Sequence, residues 1–353
     1  MTKNVVVAIP ARDEADRIGS CLNALNAQTR MPDRVVLIVN NSTDDTETIA
    51  RAMASGMRYR LDVIKRELPP AEANAGHARR LAMEAAAARA GPDGILLTTD
   101  ADSLVPPDWV FLNIRALRQG ADVVCGRAVI DTVEAAVIPE HLHVADAREG
   151  RLIAFLDDLA WMLDPEPRDP PPRHTEASGA SLAVSVEAFQ RIGGLPPIAF
   201  CEDRAFVRAL WMVDACIRHD PAIVVNVSGR IVGRAPGGMA DTIRRRMVRQ
   251  DEFSDDKAEP ALDAFWRYSL RYRARVAWGG RADPALAAAL AMPGEQVFDI
   301  LSQRFFGTAW SMLEITSPVL KRRRVRFVDI PTQIASARVL LERLAMTDVL
   351  AAD

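Results

Sequence analysis

Val5-Val-Val-Ala-Ile9 is an uncharged, largely β-branched run of the kind that forms a strand buried on both faces of a sheet, and Pro10 is expected to end it. A helical pattern follows at 14–27, and a second strand pattern lies at 35–39. The alternation continues with strand patterns at 61–64, 95–99 and 122–127 and helical patterns at 73–90 and 109–118. Strands that alternate with helices predict an α/β fold in which helices cover both faces of a parallel sheet.

The composition is that of a folded globular protein, with 353 residues of which 49% are hydrophobic and 26% charged. A net charge of -3 gives no attraction for a polyanion, so we expect no nucleic-acid partner. No run approaches the ~18 uncharged apolar residues of a membrane span, and the N-terminus passes directly into the first strand pattern. We therefore expect a cytoplasmic protein without a transmembrane segment, in which the four scattered cysteines are reduced core residues.

The pattern changes beyond residue 240, where the strand signals end. Helical patterns dominate at 242–249, 262–278, 284–291, 295–315 and 331–350, which predicts a helical C-terminal extension over 240–353. Upstream of it, the proline-rich stretch from Asp164 to Pro172 can continue neither a helix nor a central strand, because proline lacks the amide donor. We expect a loop there.

The strand pattern Gly94-Ile-Leu-Leu-Thr-Thr ends in two carboxylates, Asp100 and Asp102, with one small residue between them. Ligands of parallel sheets bind beyond the carboxyl ends of the strands, which makes this pair a candidate site. Two close carboxylates repel each other, and a hard divalent cation that also binds substrate phosphate relieves that repulsion. A solvated turn or a helix cap explains Asp-x-Asp equally well when the motif is taken alone.

Further motifs surround this pair in a fixed order. They are Val5 to Glu14 with Pro10 and Arg12, Asn40-Asn41-Ser-Thr-Asp-Asp-Thr46, Asn74-Ala-Gly76-His-Ala-Arg79, Ser178-Gly179-Ala-Ser181, Gly193-Gly-Leu-Pro196 and Glu202-Asp203. From about Val5 to Arg234 the sequence resembles the family 2 glycosyltransferases of the GT-A fold. The resemblance implies a Rossmann-like nucleotide-binding sheet over residues 1–239, with a nucleotide-binding half at about 1–130 and an acceptor half at about 131–239. Residues 240–353 lie outside it.

The resemblance implies a hexosyltransferase-like enzyme that moves a sugar from a nucleotide diphosphate donor to an acceptor hydroxyl, with inversion at the anomeric carbon. Mn²⁺ or Mg²⁺ is the implied cofactor, because the leaving diphosphate gains negative charge. By the same resemblance Asp102 is the metal ligand, Asp100 contacts the donor ribose or sugar, and Asp203 is the catalytic base. Glu202 and Asp203 are also typical of the first turn of a helix, and the two interpretations are compatible.

Other donor-binding candidates follow the ends of the predicted strands and begin the helices. Arg12 and Arg79 suit phosphate, although each is equally explained as a surface residue, and Glu14 is equally typical of a helix start. The family often has an aspartate after the second strand where this chain has amides, which leaves the nucleobase open. The donor-binding set is Pro10, Arg12, Glu14, Asn40, Asn41, Gly76, Arg79, Asp100 and Asp102.

A second group of candidates lies on the acceptor or phosphate side. A glycine-containing loop carries Arg230 and Arg234 after a strand pattern at 223–227, and we predict that it closes on pyrophosphate or on an anionic acceptor. An ordinary surface turn is the alternative. Ser178, Gly179 and Glu202 complete this group.

Two other functions compete with the leading one. A nucleotidyltransferase acting on a sugar phosphate also uses acidic residues on an α/β sheet, but the chain lacks a glycine-rich phosphate loop with an activating lysine. A catalytically silent nucleotide- or glycan-binding protein is the other, and the intact aspartates argue against it. The acceptor, whether glycan, lipid-linked or small molecule, is not identified, and a peripheral membrane or homo-oligomer contact through the C-terminal helices stays open.

Overall fold

A seven-stranded mixed sheet organises the first part of the chain in the computed structural model, which describes residues 3–234, 238–280 and 283–352, with backbone alone beyond residue 346. Its order is β3-β2-β1-β4-β6-β5-β7, and β6 is the one strand that runs antiparallel to its neighbours among the described residues. The strands are β1 (Val5–Ala11), β2 (Arg34–Asn40), β3 (Arg60–Arg66), β4 (Ile95–Thr98), β5 (Val123–Ile130), β6 (Leu182–Ser185) and β7 (Ile217–Val227).

Helices alternate with the first strands and then dominate the C-terminal part, as the sequence predicts. They are α1 (Ile18–Asn26), α2 (Thr46–Met53), α3 (Ala75–Ala90), α4 (Trp109–Arg118), α5 (Thr132–Ala135), α6 (Glu140–Leu163), α7 (Val186–Arg191), α8 (Glu202–Met212), α9 (Met239–Val248), α10 (Ala261–Ala277), α11 (Pro284–Ala289), α12 (Gly294–Leu301), α13 (Phe306–Thr316) and α14 (Ile330–Ala352). None of the described helices has the length and apolarity needed to cross a membrane.

The sheet has a hydrophobic cluster on each face, because side chains alternate along each strand. Val5, Val7 and Ile9 of β1 pack with apolar residues of α1, α2 and α4, whereas Val6 and Ala8 pack with those of α3, α7 and α8. This arrangement explains why the strand patterns are continuous apolar runs, and it confirms the prediction of helices on both faces.

Several details differ from the sequence-based prediction. Pro10 lies inside β1, which continues to Ala11. The ladder from β1 to β4 ends at Ala8, so Pro10 is paired with β2 alone, and its missing amide donor is tolerated as it is on an edge strand. The antiparallel β6 makes the sheet mixed. All four cysteines are free thiols, as predicted, but Cys201 is exposed and not a core residue.

The described chain divides into two compact units. The first comprises the residues up to Ile138, Pro171–Trp211 and Ala215–Arg245, and the second comprises Pro139–Pro170, Met212–Asp214 and the residues from Arg246 onward. The second unit has its own core, in which Leu152, Leu156 and Leu159 of α6 pack with residues of α10 and α14. Because α6 belongs to this core, the units are not continuous in sequence, and the predicted assignment of roles to 1–239 and 240–353 stays a prediction.

Candidate active site

A cavity of about 220 Å³ lies beyond the carboxyl ends of β1, β2, β4 and β7 in the first unit. The geometry of a parallel sheet brings these strand ends to one edge, which is where ligands of such sheets bind. Residues at the start of α3 and α9 complete the wall, among them Asn74 and Met239. Nine of the predicted site residues line the cavity: Pro10, Arg12, Glu14, Asn40, Arg79, Asp100, Asp102, Arg230 and Arg234.

Arg230 bridges two carboxylates in this cavity. Its Nη1 and Nη2 donate to the two carboxylate oxygens of Glu14 at 2.8 and 2.6 Å, and its Nη2 also lies 3.0 Å from Oδ2 of Asp102. Burial lowers the pKa of the Arg230 guanidinium, but the hydrogen bonds to Glu14 and the charge of Asp102 outweigh that effect and raise it. Glu14 therefore holds an arginine in this structure.

Asp102 has an unusual electrostatic environment for an aspartate. Burial raises its pKa to about 6, and the negative charges of Asp100 and Glu14 contribute to the increase, while Arg230 opposes it. Side chains whose pKa is shifted by burial and by neighbouring charges are concentrated at functional sites. A bound cation would offset the negative charge around Asp102.

Arg79 is buried in the cavity wall, with a side chain that is 5% exposed. Its Nη2 lies 2.5 Å from Oδ1 of Asp100, and its Nε donates to Oε1 of Glu202 at 2.9 Å. Its Nη1 donates to Oγ1 of Thr98 and to the carbonyl oxygen of Gly179. All three guanidinium nitrogens thus have protein partners. These contacts suit a positioning role for Arg79, and its predicted contact with the donor phosphate stays a prediction.

Asp203 connects to the same network through the backbone. Its Oδ2 accepts a hydrogen bond from the amide of Gly179 at 2.9 Å, and its Oδ1 accepts one from the amide of Arg204. Since the carbonyl of Gly179 accepts from Arg79, a continuous chain of hydrogen bonds joins Asp203 to Asp100. Glu202 and Asp203 also lie in the first turn of α8, so the two interpretations of this pair remain compatible.

Besides Glu202 and Asp203, four predicted residues lie outside the set that lines the cavity. Asn41 uses both polar atoms of its side chain on the backbone of Leu68, and its φ of 50° is one that asparagine tolerates. At Gly76 a Cβ would collide with the carbonyl oxygen of Ile198, so the backbone of Gly76 packs closely against another segment of the chain. Ser178, whose Oγ accepts from the amide of Ala180, and Gly179 also lie outside the lining set.

The loop that carries Arg230 is anchored by residues that the sequence analysis did not identify. Oε2 of Glu134 accepts hydrogen bonds from Oγ of Ser228 and from the amide of Gly229 at 2.9 and 2.7 Å. Oε1 of Glu134 accepts one from Nη1 of Arg17 at 2.6 Å. No motif marks Glu134, because its partners are far away in the sequence. These contacts fix the base of the loop beside the cavity.

The carboxylate oxygens at this site suit a divalent metal ion whose remaining ligands come from the substrate. Within residues 3–234, 238–280 and 283–352, no three histidine, cysteine, aspartate or glutamate side chains are arranged to hold a metal ion. Asp100 and Asp102 supply hard oxygen ligands, and Mg²⁺ or Mn²⁺ commonly takes its remaining ligands from phosphate and water. The buried hydroxyls of Thr99 and Ser103, which flank the pair, have no hydrogen-bond partner among the described residues. These features fit a cation held jointly with a phosphorylated ligand.

Comparison with solved structures gives three examples of similar chains. The mannosyltransferase PcManGT of Pyrobaculum calidifontis, in complex with GDP-Man and Mn²⁺, is 20% identical with a TM-score of 0.48, over 95% of this chain and 86% of that one. TarS 1-349 of S. aureus with UDP-GlcNAc is 15% identical with a TM-score of 0.45, over 96% and 81%. The glucosyl-3-phosphoglycerate synthase of Mycobacterium tuberculosis with Mn²⁺, UDP and phosphoglyceric acid is 18% identical with a TM-score of 0.42, over 70% and 78%.

The sequence itself matches one family. Residues 6–167 match the family described as Glycosyl transferase family 2. No curated protein sequence matches the chain. The matched segment contains all but the first residue of β1, the strands β2 to β5, the Asp-x-Asp pair and Arg79. The predicted fold class, a Rossmann-like sheet with a helical C-terminal region, is confirmed, and residues 6–167 of this chain are similar to the family 2 glycosyltransferases.

Proposed function

We propose that the protein is an inverting, metal-dependent glycosyltransferase that moves a sugar from a nucleotide diphosphate sugar to an acceptor hydroxyl. The family match over residues 6–167 supports transfer of a glycosyl group. The observation that carries the proposal is the cavity at the strand ends, where Asp100 and Asp102 lie opposite Arg230. Such a mixture of carboxylates and a guanidinium suits a metal-bound diphosphate, whose charges both groups can complement.

A divalent cation at this site would supply charge stabilisation for the departing nucleotide diphosphate. Asp102 would hold it, and Asp100, fixed in place by Arg79, would contact the ribose or the sugar of the donor. Pro10, Arg12 and Asn40 would surround the nucleotide, since they line the nearby wall of the cavity. Arg230 and Arg234 offer guanidinium groups to the diphosphate.

Asp203 is the proposed base. It would accept the proton of the acceptor hydroxyl as that oxygen attacks the anomeric carbon, which gives inversion of configuration. The amides of Gly179 and Arg204 donate to its two oxygens and so orient the carboxylate, while each oxygen keeps a further lone pair for a proton. Orientation by backbone amides costs no side-chain entropy at the moment of reaction.

The donor sugar, the nucleobase and the acceptor are not assigned by these residues. Asn40 is buried in the cavity wall, and an amide both donates and accepts hydrogen bonds, so it accommodates more than one base. The cytoplasmic location and a peripheral membrane or oligomer contact through the C-terminal helices remain predictions from the sequence.

A panel of nucleotide sugars, screened with Mn²⁺, Mg²⁺ or EDTA, tests the proposal. We expect one donor to raise the melting temperature only when metal is present, since a ligand at 100 times its Kd stabilises the folded state by about 2.7 kcal/mol. The same donor should be hydrolysed slowly or transferred. Failure of every nucleotide sugar to bind under every metal condition would falsify the proposal. Release of pyrophosphate from a nucleoside triphosphate and a sugar phosphate would identify a nucleotidyltransferase instead.

A further inference from the structure

The position of Arg230 relative to Asp102 bears on how metal enters the site. The Arg230 side chain is 21% exposed, while those of Glu14 and Asp102 are 6% and 16% exposed. Ion pairs with so little contact with water are weakly screened, so each contact has a substantial effect on the charge that its partner presents. The carboxylate of Asp102 already has a cationic neighbour before any ligand binds.

The two contacts of Arg230 are not equivalent. With Glu14 the guanidinium makes a two-pronged pair, in which Nη1 donates to Oε2 and Nη2 donates to Oε1. With Asp102 it makes a single contact of 3.0 Å through Nη2, which Glu14 also shares. Two-pronged arginine-carboxylate pairs are the stronger and more directional kind. Arg230 is therefore held more strongly by Glu14 than by Asp102, and the contact with Asp102 is the weaker of the two.

A divalent ion at Asp102 must compete with this guanidinium. Arginine stays protonated at any ordinary pH, so the contact is not relieved by loss of a proton. The guanidinium must instead lose its contact with Asp102. Its Nη2, which still donates to Glu14, can then donate a second hydrogen bond to a new acceptor. A diphosphate oxygen in the same cavity is a suitable acceptor, because guanidinium groups match phosphate geometry.

We propose that Arg230 is a resident counter-cation of Asp102, which a divalent metal displaces from Asp102 but not from Glu14, and which then binds the donor diphosphate through the released Nη2. This inference rests on the proposed function, because it takes Asp102 as the metal ligand. Arg230 therefore weakens the binding of metal alone. It also increases the factor by which metal and nucleotide raise each other's affinity. By linkage, each ligand must raise the affinity of the other by the same factor.

Binding of Mn²⁺ alone, of UDP or GDP alone, and of both together tests the inference by titration calorimetry on the full chain. In Arg230→Gln we expect Mn²⁺ alone to bind about tenfold more tightly than in wild type, since a nearby positive charge is removed. The factor by which the nucleotide raises Mn²⁺ affinity should fall by about tenfold, as a guanidinium-phosphate contact is lost. The opposite signs of these two changes distinguish the proposed role from a merely structural one.

Arg234→Gln is the matched control for charge. Arg234 is in the same loop and also lines the cavity, but it makes a longer ion pair, of 3.9 Å, with Asp16. We expect its loss to leave the affinity for Mn²⁺ alone close to that of wild type. Arg230→Lys provides a second variant, because an ammonium cannot make the two-pronged pair with Glu14 and reach Asp102 as well. Its affinity for Mn²⁺ alone should lie between those of wild type and Arg230→Gln.

The outcomes separate the two proposals. If wild type binds Mn²⁺ together with a nucleotide diphosphate, and both Arg230 variants bind Mn²⁺ alone no more tightly than wild type, the counter-cation role is wrong while the proposed function stands. If Arg234→Gln changes Mn²⁺ binding as much as Arg230→Gln does, a diffuse charge effect replaces the specific contact. If neither wild type nor any variant binds Mn²⁺ with a nucleotide, the proposed function itself fails.

Discussion

Arg79 donates from Nε to Oε1 of Glu202 across 2.9 Å, and both side chains are almost completely buried. The same guanidinium contacts Asp100 and the carbonyl of Gly179, whose amide donates to Asp203. Asp100 and Glu202, which are far apart in the sequence, are thereby held in one hydrogen-bond network. The network connects the proposed donor side of the site to the proposed base.

Loss of Arg79 should destabilise the fold mainly by leaving Glu202 without its cationic partner. We expect Arg79→Met to lower the free energy of unfolding by about 3–5 kcal/mol, the cost of an uncompensated buried charge. Glu202→Gln added to this variant should restore part of the loss, with an interaction energy of about 1–3 kcal/mol. Urea unfolding of the single and double variants gives these values. Strictly additive effects would show that the pair is not coupled.

Substitution of Gly179 should disturb the same network without removing a charge. A Cβ at Gly179 would lie 2.5 Å from Cζ and Nη2 of Arg79. The guanidinium cannot move away without breaking its hydrogen bonds to Glu202 and Asp100. Gly179→Ala should therefore cost about 1–3 kcal/mol of stability, as overpacking does.

Gly150→Ala is the matched control, because a Cβ at that exposed position of α6 would meet open space. It should stabilise the protein by about 0.5–1 kcal/mol, the usual preference of a helix for alanine over glycine. Thermal unfolding compares the two variants, and equal effects would contradict the contact assigned to Arg79.

Much of the sheet could be predicted because its strands and helices are marked by local patterns. The apolar runs of β1, β2 and β4 and the helical spacing of α4 identify these elements within a few residues. The strand β6 was missed because it has only four residues and pairs antiparallel with two strands that come much earlier in the chain. Nothing within Leu182–Ser185 itself indicates that pairing.

The predicted helix at 295–315 is instead two helices, α12 and α13. Asp214 accepts hydrogen bonds from the amides of Phe306 and Gly307 at 2.7 and 2.8 Å, so it caps a new helix start. The cap comes from a residue far away in the sequence, which no local pattern reveals. The same reason explains why the sequence identified Glu14, Asp102 and Arg230 as separate candidates but did not indicate that Arg230 pairs with both carboxylates, which the fold brings to it.

The stability of the fold should decrease in mild acid because of His174. Burial lowers the pKa of its imidazole from 6.5 to about 4, and the neighbouring His219, at a ring distance of 5.5 Å, contributes to the decrease. Below pH 6.5 the unfolded chain binds a proton that the folded chain does not, so the stability provided by neutral His174 is lost as the pH falls toward 4.

His174→Asn tests this pH dependence and keeps an acceptor for the amide of Glu176, to which Nδ1 of His174 is bonded at 3.0 Å. Between pH 7.5 and 5 we expect a shallower decline in unfolding free energy for this variant, by no more than about 1.4 kcal/mol per pH unit. Urea unfolding at each pH measures the slope. A slope equal to that of wild type would assign the acid sensitivity to other groups.

Removal of the Asp102 charge should strongly reduce metal-dependent turnover. We expect Asp102→Asn to reduce donor hydrolysis and transfer by about 10²- to 10³-fold, a usual loss for one electrostatic contact to the developing charge. Asp108→Asn is the control, since Asp108 is exposed and its side chain makes no capping hydrogen bond at the start of α4. Initial rates over a Mn²⁺ titration compare the two. Wild-type rates in Asp102→Asn would contradict the role of this carboxylate.

Asp203→Asn separates the two interpretations of the Glu202-Asp203 pair. Asparagine can still accept the hydrogen bond from the amide of Gly179 through its one oxygen, although the hydrogen bond from the amide of Arg204 is lost, and its side chain cannot take a proton from the acceptor. If Asp203 is the base, kcat should fall by about 10²- to 10⁴-fold. The affinity for Mn²⁺ and nucleotide diphosphate should stay unchanged, because Asp203 does not line the cavity. If it serves only the first turn of α8, stability should fall by about 0.3–1 kcal/mol and turnover should persist.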